Sequence, residues 1–321
     1  VSALLMVRDL VVRLGSATPV DGVDLDIGPG EVLGIVGESG AGKSLLLRSV
    51  LRLLPPGAQT TGTVTWRGGN LLMVPEAELA KIRGAEIAMV FQEPMTALNP
   101  VLSIGVQITE SLSTHLGLRG EAARRRAAEL LDLVGIPDAR RRLQNYPHEF
   151  SGGMRQRAMI AIALAGEPKL LLADEPTTAL DVTIQDQILK LLLRLIENLA
   201  MSLVIVTHDL GVIASTCNRV AVLYAGKVME AGPVDSVLRQ PAHAYTLGLL
   251  RSLPGGGNPR QRLQGIEGAP PAPGTIQSGC RFAPRCRFAI DACRTESMPL
   301  RPLAAGWLSA CIRADDVRAA T

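Results

Sequence analysis

The sequence predicts an α/β fold: a sheet of buried strands joined by crossover helices, with a smaller antiparallel β layer and a helical insertion. Two observations carry the main assignment. Five short apolar runs lack polar alternation, as strands covered on both faces do. They are Val32–Val36, Ile87–Val90, Leu170–Ala173, Leu203–Val206 and Val220–Leu223. Between two of them Ile184, Ile188, Leu191, Leu192 and Leu195 recur at helical spacing behind Asp181, a residue able to cap a helix. Strands that alternate with helices in this way point to an α/β sheet.

The remaining elements follow in order. Val1 to Leu10 carries Arg8 and Asp9 and reads as a strand, not a signal peptide. Gly62 to Trp66, followed by Gly68-Gly69-Asn70, reads as a hairpin of the antiparallel layer. From about Asn99 to Tyr146 the chain is rich in Ala, Leu, Arg and Glu and reads as a mostly helical insertion, placed at about 99–150 as a subdomain. Gly226 to Gly232 reads as a further turn and strand. Gly255-Gly256-Gly257 opens a linker that closes in Pro270-Pro271-Ala272-Pro273-Gly274, a composition that supports no packed core. The expected organisation is therefore a main domain over 1–254, a linker over 255–274 and a cysteine-bearing extension over 275–321.

The 321 residues suffice for one large domain and a small appendage, and 47% hydrophobic content supports a sizeable core. No apolar run reaches the roughly 18–20 residues needed to span a bilayer. Thirty-three basic and 30 acidic residues leave a net charge of +3, too balanced for a dedicated nucleic-acid binder. With only two Trp, three Tyr and four Phe, base-stacking platforms are also unsupported. Arg124-Arg125-Arg126 and Arg140-Arg141-Arg142 read as solvated helix faces.

Gly37-Glu38-Ser39-Gly40-Ala41-Gly42-Lys43-Ser44 fits G-x-x-x-x-G-K-[ST] in full, between a predicted strand and a predicted helix. Its glycines let the backbone curl so that N–H groups face phosphate oxygens, and the helix N-terminus adds a positive dipole end. Lys43 is expected to reach the β- and γ-phosphates and Ser44 to hold Mg²⁺. Asp174 and Glu175 end an apolar strand: the first can bind Mg²⁺, and the second is free to orient or deprotonate water. Gln92 and His208 also stand at carboxyl ends of strands, where open α/β sheets bind ligands. Phe150-Ser151-Gly152-Gly153-Met154-Arg155-Gln156 adds a loop able to offer N–H groups and a hydroxyl to a second face of a triphosphate. A second face implies two ATPase units closing on one ATP.

Cys217 stands alone and reads as a small buried residue. Cys280, Cys286, Cys293 and Cys311 are separated by five, six and seventeen residues. Four thiolates suit tetrahedral Zn²⁺ or an iron–sulfur cluster, although the spacing is wider than that of short zinc pairs. Reduced free thiols are the third reading. Arg281, Arg285, Arg287 and Arg294 could offset thiolate charge.

In their order, these elements resemble an ABC ATPase over most of residues 1–235, with a P-loop NTPase core. The resemblance implies that Gly37–Ser44 is the Walker A loop and Leu170–Asp174 is Walker B. It makes Glu175 the catalytic base, Gln92 the Q-loop glutamine and His208 the switch histidine. Ser151, Gly152, Gly153 and Gln156 would belong to the signature that closes on the partner's ATP, and Thr178-Ala179-Leu180-Asp181 would be the D-loop. Mg²⁺ would be held through Ser44, Gln92 and Asp174. Phe150 replaces the usual Leu of the signature. Val11–Val23 lacks the usual adenine-stacking aromatic, and Leu14 falls near that place, so weak base discrimination is expected.

Phe91-Gln92-Glu93-Pro94-Met95-Thr96-Ala97-Leu98-Asn99-Pro100 resembles the extended Q-loop of peptide and nickel importer ATPases. Gly279–Cys286, with Cys293 and Cys311, resembles the C-terminal extension of oligopeptide/dipeptide importer subunits. The resemblance implies an ATP-hydrolysing motor subunit, peripheral on the cytoplasmic face of the inner membrane. Its implied partners are a second ABC ATPase, homologous or identical, two transmembrane permease subunits and an extracytoplasmic solute-binding protein. It favours a 4Fe–4S cluster over zinc on Cys280, Cys286, Cys293 and Cys311. Nickel, glutathione or another small solute is the alternative cargo. A soluble ABC ATPase working on nucleic acid is the rival, and no basic face or second cassette supports it.

Overall fold

The computed structural model describes residues 3–178, 180–253, 265–272, 275 and 278–321. Gly255-Gly256-Gly257 and Pro273-Gly274 of the expected linker, and Ala179 of the D-loop, lie outside the described residues. The strands are β1 (Leu5–Leu14), β2 (Ala17–Ile27), β3 (Val32–Val36), β4 (Gln59–Trp66), β5 (Gly69–Asn70), β6 (Ile87–Val90), β7 (Leu170–Asp174), β8 (Ser202–Thr207), β9 (Arg219–Tyr224), β10 (Lys227–Pro233), β11 (Arg301–Ala304) and β12 (Trp307–Ser309). The helices are α1 (Lys43–Val50), α2 (Glu76–Ile82), α3 (Pro94–Ala97), α4 (Ile104–Leu116), α5 (Gly120–Leu133), α6 (Ala139–Arg142), α7 (Gly152–Leu164), α8 (Val182–Leu199), α9 (Leu210–Thr216), α10 (Val234–Arg239), α11 (Ala244–Arg251), α12 (Asp291–Thr295) and α13 (Ala314–Ala319). The chain divides into two compact units.

The first unit comprises Val1–Leu4, Ile27–Val32 and Met73–Val206. Its strands β6, β7 and β8 are parallel, with Ile87 opposite Leu170 and Leu171 opposite Leu203. Every residue of β6 and β7 is buried, which accounts for the absence of polar alternation in their sequences. The helical insertion is present as α4 to α6. Ser103 caps α4 by accepting from the Val106 N–H, and Gly117 ends it in the left-handed region. Ile104, Ile108 and Leu112 of α4 and Ala127, Leu130 and Leu131 of α5 are buried. Arg124, Arg125, Arg140 and Arg141 are exposed, as solvated faces should be. Asp181 caps α8 by accepting from the Ile184 N–H at 3.0 Å. Ile188, Leu191, Leu192 and Leu195 of that helix are buried as its periodicity requires.

The second unit comprises Leu5–Asp26, Leu33–Leu72 and Thr207–Thr321. One sheet has the order β2-β1-β4-β5, with β1 and β4 antiparallel and Leu5 opposite Trp66. In the other, β3 lies parallel to β9, and β10, β12 and β11 extend it antiparallel. The extension, expected to be irregular, thus supplies two short strands, with Pro302 in the outermost, where a missing N–H is tolerated. It has no core apart from the unit. Phe282, Trp307, Ala314 and Val317 join Tyr224, Tyr245, Val220 and Val222 in one buried cluster.

A buried carboxylate pins this arrangement. Glu230 of β10 is wholly buried and accepts from the Ala242 N–H at 2.8 Å, the His243 N–H at 3.0 Å and Trp307 Nε1 at 2.9 Å. Burial pushes its carboxyl up, and hydrogen-bond donors pull it part of the way back. Glu230→Gln turns one acceptor oxygen into a donor against N–H groups. It is expected to cost about 3 kcal/mol of unfolding free energy, read by urea denaturation. An unchanged midpoint would show that the three donors find other partners.

Candidate nucleotide site and four-cysteine pocket

Gln92, Asp174 and Glu175 belong to the first unit. β7 delivers the acidic pair: Asp174 is its last residue and is fully buried. Glu175 follows with φ 46°, ahead of Pro176. A non-glycine residue in the left-handed region, restricted further by a following proline, is held there by its surroundings. Its N–H donates to the Val206 carbonyl at 3.0 Å, fixing the bend to β8. The Glu175 carboxylate Oε2 accepts from Thr178 Oγ1 at 2.8 Å and from Gln92 Nε2 at 3.3 Å. The structure therefore brings together the glutamine after β6 and the carboxylate after β7, 83 residues apart.

The Ser-Gly-Gly loop lies in the same unit. Ser151 caps α7 by accepting from the Met154 N–H at 3.3 Å, and Gly152 and Gly153 form the first helical residues. Ser151 and Gly152 are exposed, so the helix start is presented outward. Gln156 is not presented with them: it is 1% exposed.

Residues 37–44 and His208 belong to the second unit. The loop leads from β3 into α1, with Gly42 at φ 99° before the helix. Lys43 is buried, and its Nζ donates to the Gly37 carbonyl at 2.8 Å and the Glu38 carbonyl at 3.0 Å, folding the loop over its own ammonium. The Gly226 N–H donates to the Ala41 carbonyl at 2.9 Å, which holds the far side of the loop. His208 follows β8 and is exposed, next to Asp209, which caps α9 through the Gly211 N–H at 2.7 Å. Leu14 ends β1 half-buried.

The four thiols of the extension line one pocket together with His243 and Phe288. The Cys280 N–H donates to the Cys293 carbonyl at 2.7 Å, which draws two of the loops together. Burial pushes the Cys280 and Cys286 thiols up, and pushes Cys311 up to about 11. Without a bound cation the three would be neutral near pH 7. Among the described residues, no three His, Cys, Asp or Glu side chains converge closely enough to hold a single metal ion.

The structure corrects the role given to two arginines. Arg281 and Arg285 turn away from the thiols: Arg281 bonds Asp21 and the Ala225 carbonyl, and Arg285 pairs with Glu38. Arg287 and Arg313 are the cations that favour the Cys286 thiolate. Sequence reasoning also missed His243. Its Nε2 lies 3.8 Å from Cys280 Sγ, and burial pushes its pKa down to about 4, leaving a neutral ring whose Nδ1 accepts from the Tyr245 N–H. No local pattern around Pro241-Ala242-His243 tied it to cysteines in the extension.

Residues 20–178 match the family described as ABC transporter, and residues 229–293 match the oligopeptide/dipeptide transporter C-terminal region. The chain is 50% identical over 298 residues to a putative peptide import ATP-binding protein of Brucella abortus (strain 2308), covering 92% of this chain and 90% of that protein. A putative peptide import ATP-binding protein of Brucella melitensis biotype 1 is 49% identical over 320 residues, covering 96% and 95%. Among solved structures, an ATP-binding cassette captured as a dimer after hydrolysis, with ADP and Pi, superposes with a TM-score of 0.64 at 32% identity, covering 72% of this chain and 98% of that one. A Clostridium perfringens subunit, cbiO1 of the ABC transporter complex cbiONQ, gives 0.65 at 27% identity, covering 75% and 92%.

Proposed function

The chain belongs to the ABC transporter ATP-binding proteins, in the peptide importer family, and on that premise we propose that it couples ATP hydrolysis to uptake of short peptides through partner permeases. Its α/β P-loop core is that of the ATP-binding cassettes, and it is an ATP-hydrolysing importer subunit. The observation that carries the finer reading is that two separate segments agree. The cassette match lies over 20–178, and the peptide-importer C-terminal match lies over 229–293.

In this reading the N–H groups of residues 37–44 and the Lys43 ammonium bind the phosphates. Ser44, Gln92 and Asp174 would hold Mg²⁺, which would supply neutralisation of phosphate charge. Glu175 orients and deprotonates the attacking water, with Gln92 and Thr178 fixing its carboxylate. His208 acts as the switch residue beside the γ-phosphate. Ser151, Gly152 and Gly153 present a hydroxyl and a helix N-terminus to ATP on a second cassette, while Gln156 supports α7 from within. Asp181 starts the helix after the D-loop. The division into a main domain over 1–254, a linker over 255–274 and an extension over 275–321 belongs to the same reading.

No helix among the described residues is long and apolar enough to cross a membrane. The proposed setting is peripheral, on the cytoplasmic face of the inner membrane. The proposed complex holds two ATPase subunits, two permeases and an extracytoplasmic solute-binding protein. Pull-down of the tagged chain from detergent-solubilised membranes is expected to bring two multispanning membrane proteins. Nucleic acid in their place would favour the rival reading.

Cys280, Cys286, Cys293 and Cys311 would hold a 4Fe–4S cluster, a structural centre for a segment without its own core. What supports this is that all four line one pocket. Anaerobically purified protein is expected to contain about four iron and four sulfide per chain. Stoichiometric zinc, or no metal, would contradict the cluster and leave the ATPase assignment standing.

A further inference from the structure

Two of the four cysteines bracket a short loop, Cys280-Arg281-Phe282-Ala283-Pro284-Arg285-Cys286. Both of its arginines reach the second residue of the phosphate loop or the supports beneath that loop. Arg285 is 6% exposed at its side chain and pairs with both oxygens of Glu38, at 2.7 and 3.0 Å. Its remaining donors go to Tyr224 Oη at 3.2 Å, the Glu267 carbonyl at 2.9 Å and the Ile266 carbonyl at 3.3 Å. All five guanidinium N–H groups are thereby engaged, a fork that no other side chain reproduces. The Glu38 N–H donates to Tyr245 Oη at 2.7 Å, and Tyr245 packs on Tyr224 and Phe282. Arg281 acts on the other side. It bonds Asp21 and the Ala225 carbonyl, while the Asp21 N–H donates to the Gly226 carbonyl and the Gly226 N–H to the Ala41 carbonyl, each at 2.9 Å.

We propose that the Cys280–Cys286 loop clamps the phosphate loop, with Arg285 as its positioning residue, so that nucleotide affinity and the state of the four-cysteine pocket are coupled. A bidentate pair this shielded from water holds its geometry, and a loop shaped for phosphates loses affinity when one wall is released. The coupling is reciprocal by linkage: whatever the pocket does to nucleotide binding, bound nucleotide does to the pocket. The proposal rests on residues 37–44 being the nucleotide site.

The test uses the full-length protein as purified, with two readouts besides turnover. The first is the dissociation constant of a fluorescent ATP analogue for wild type, Arg285→Ala, Arg285→Lys, Glu38→Ala and the double variant Arg285→Ala/Glu38→Ala. Each alanine variant should weaken binding about tenfold, the double variant no more than either single, and lysine should restore part of the loss. The second is the rate at which the four thiols react with a maleimide once a chelator has removed any bound metal, with and without saturating analogue. Nucleotide should slow labelling of Cys280 and Cys286 in the wild type and have no effect in Arg285→Ala. If that variant does not fold, Arg285→Lys, which keeps the charge and loses the fork, carries the same comparison. Equal affinity in wild type and folded variants, additive losses, or labelling indifferent to nucleotide would overturn the clamp. A wild-type protein that binds no nucleotide would instead overturn the site reading.

Discussion

Glu175→Gln is expected to lower ATP turnover by about 10²–10⁴-fold while leaving ATP binding intact. The substitution keeps the side-chain length and the acceptor oxygen that Gln92 and Thr178 can bond. What it removes is the negative charge that, in the proposed role, orients and deprotonates water. Because the residue sits at φ 46° on a bend fixed by its own N–H to the Val206 carbonyl, the amide would occupy the place of the carboxylate. Binding and chemistry therefore separate: the variant should trap two cassettes around unhydrolysed ATP. Size-exclusion chromatography with and without ATP, together with phosphate release, reads both effects. Turnover near the wild-type rate would remove Glu175 from the role of base.

Gly42→Ala is expected to abolish measurable nucleotide binding and to destabilise the protein by about 3 kcal/mol or more. A Cβ at residue 42 would lie 2.0 Å from the Pro19 carbonyl oxygen and 3.7 Å from the Gly226 Cα, on backbone at φ 99°. Backbone atoms cannot swing aside as a flexible side chain does, so either the loop or the β2 segment must move. Gly40→Ala is the control within the same loop. Residue 40 also has positive φ, at 77°, but a Cβ there meets nothing within 4 Å. It should carry only the strain of a left-handed alanine, about 1–2 kcal/mol, and retain binding. Thermal unfolding and analogue titration of the two variants separate crowding from strain. Equal behaviour of the two would show that the approach of Pro19 does not shape the site.

The sheet strands were legible because burial on both faces leaves an uninterrupted apolar run, and all five runs became strands with bounds shifted by a residue at most. The helix after Asp181 was legible through its spacing and cap. The glycine-rich turn from β3 into α1 was legible because its residues are consecutive in the chain. Strands β11 and β12 were not. Arg301 and Pro302 are exposed on an edge, so neither alternation nor a continuous apolar run marks them. The partners of Arg281 and Arg285 were misassigned for a related reason. Nearby thiols are visible in the sequence, whereas Glu38, 247 residues from Arg285, becomes a neighbour only when the chain folds. Glu230 and His243 left no signal, since a buried polar group is defined by the donors and walls around it and not by its own surroundings in sequence.

The decisive experiment is uptake of a labelled short peptide by cells of the native organism that carry either the wild-type chain or its Glu175→Gln variant at equal abundance. ATP-dependent accumulation is expected with the wild type and loss of it with the variant, with the permeases still in the membrane. Undiminished peptide uptake in the variant would contradict the assignment of this chain as the motor of a peptide importer.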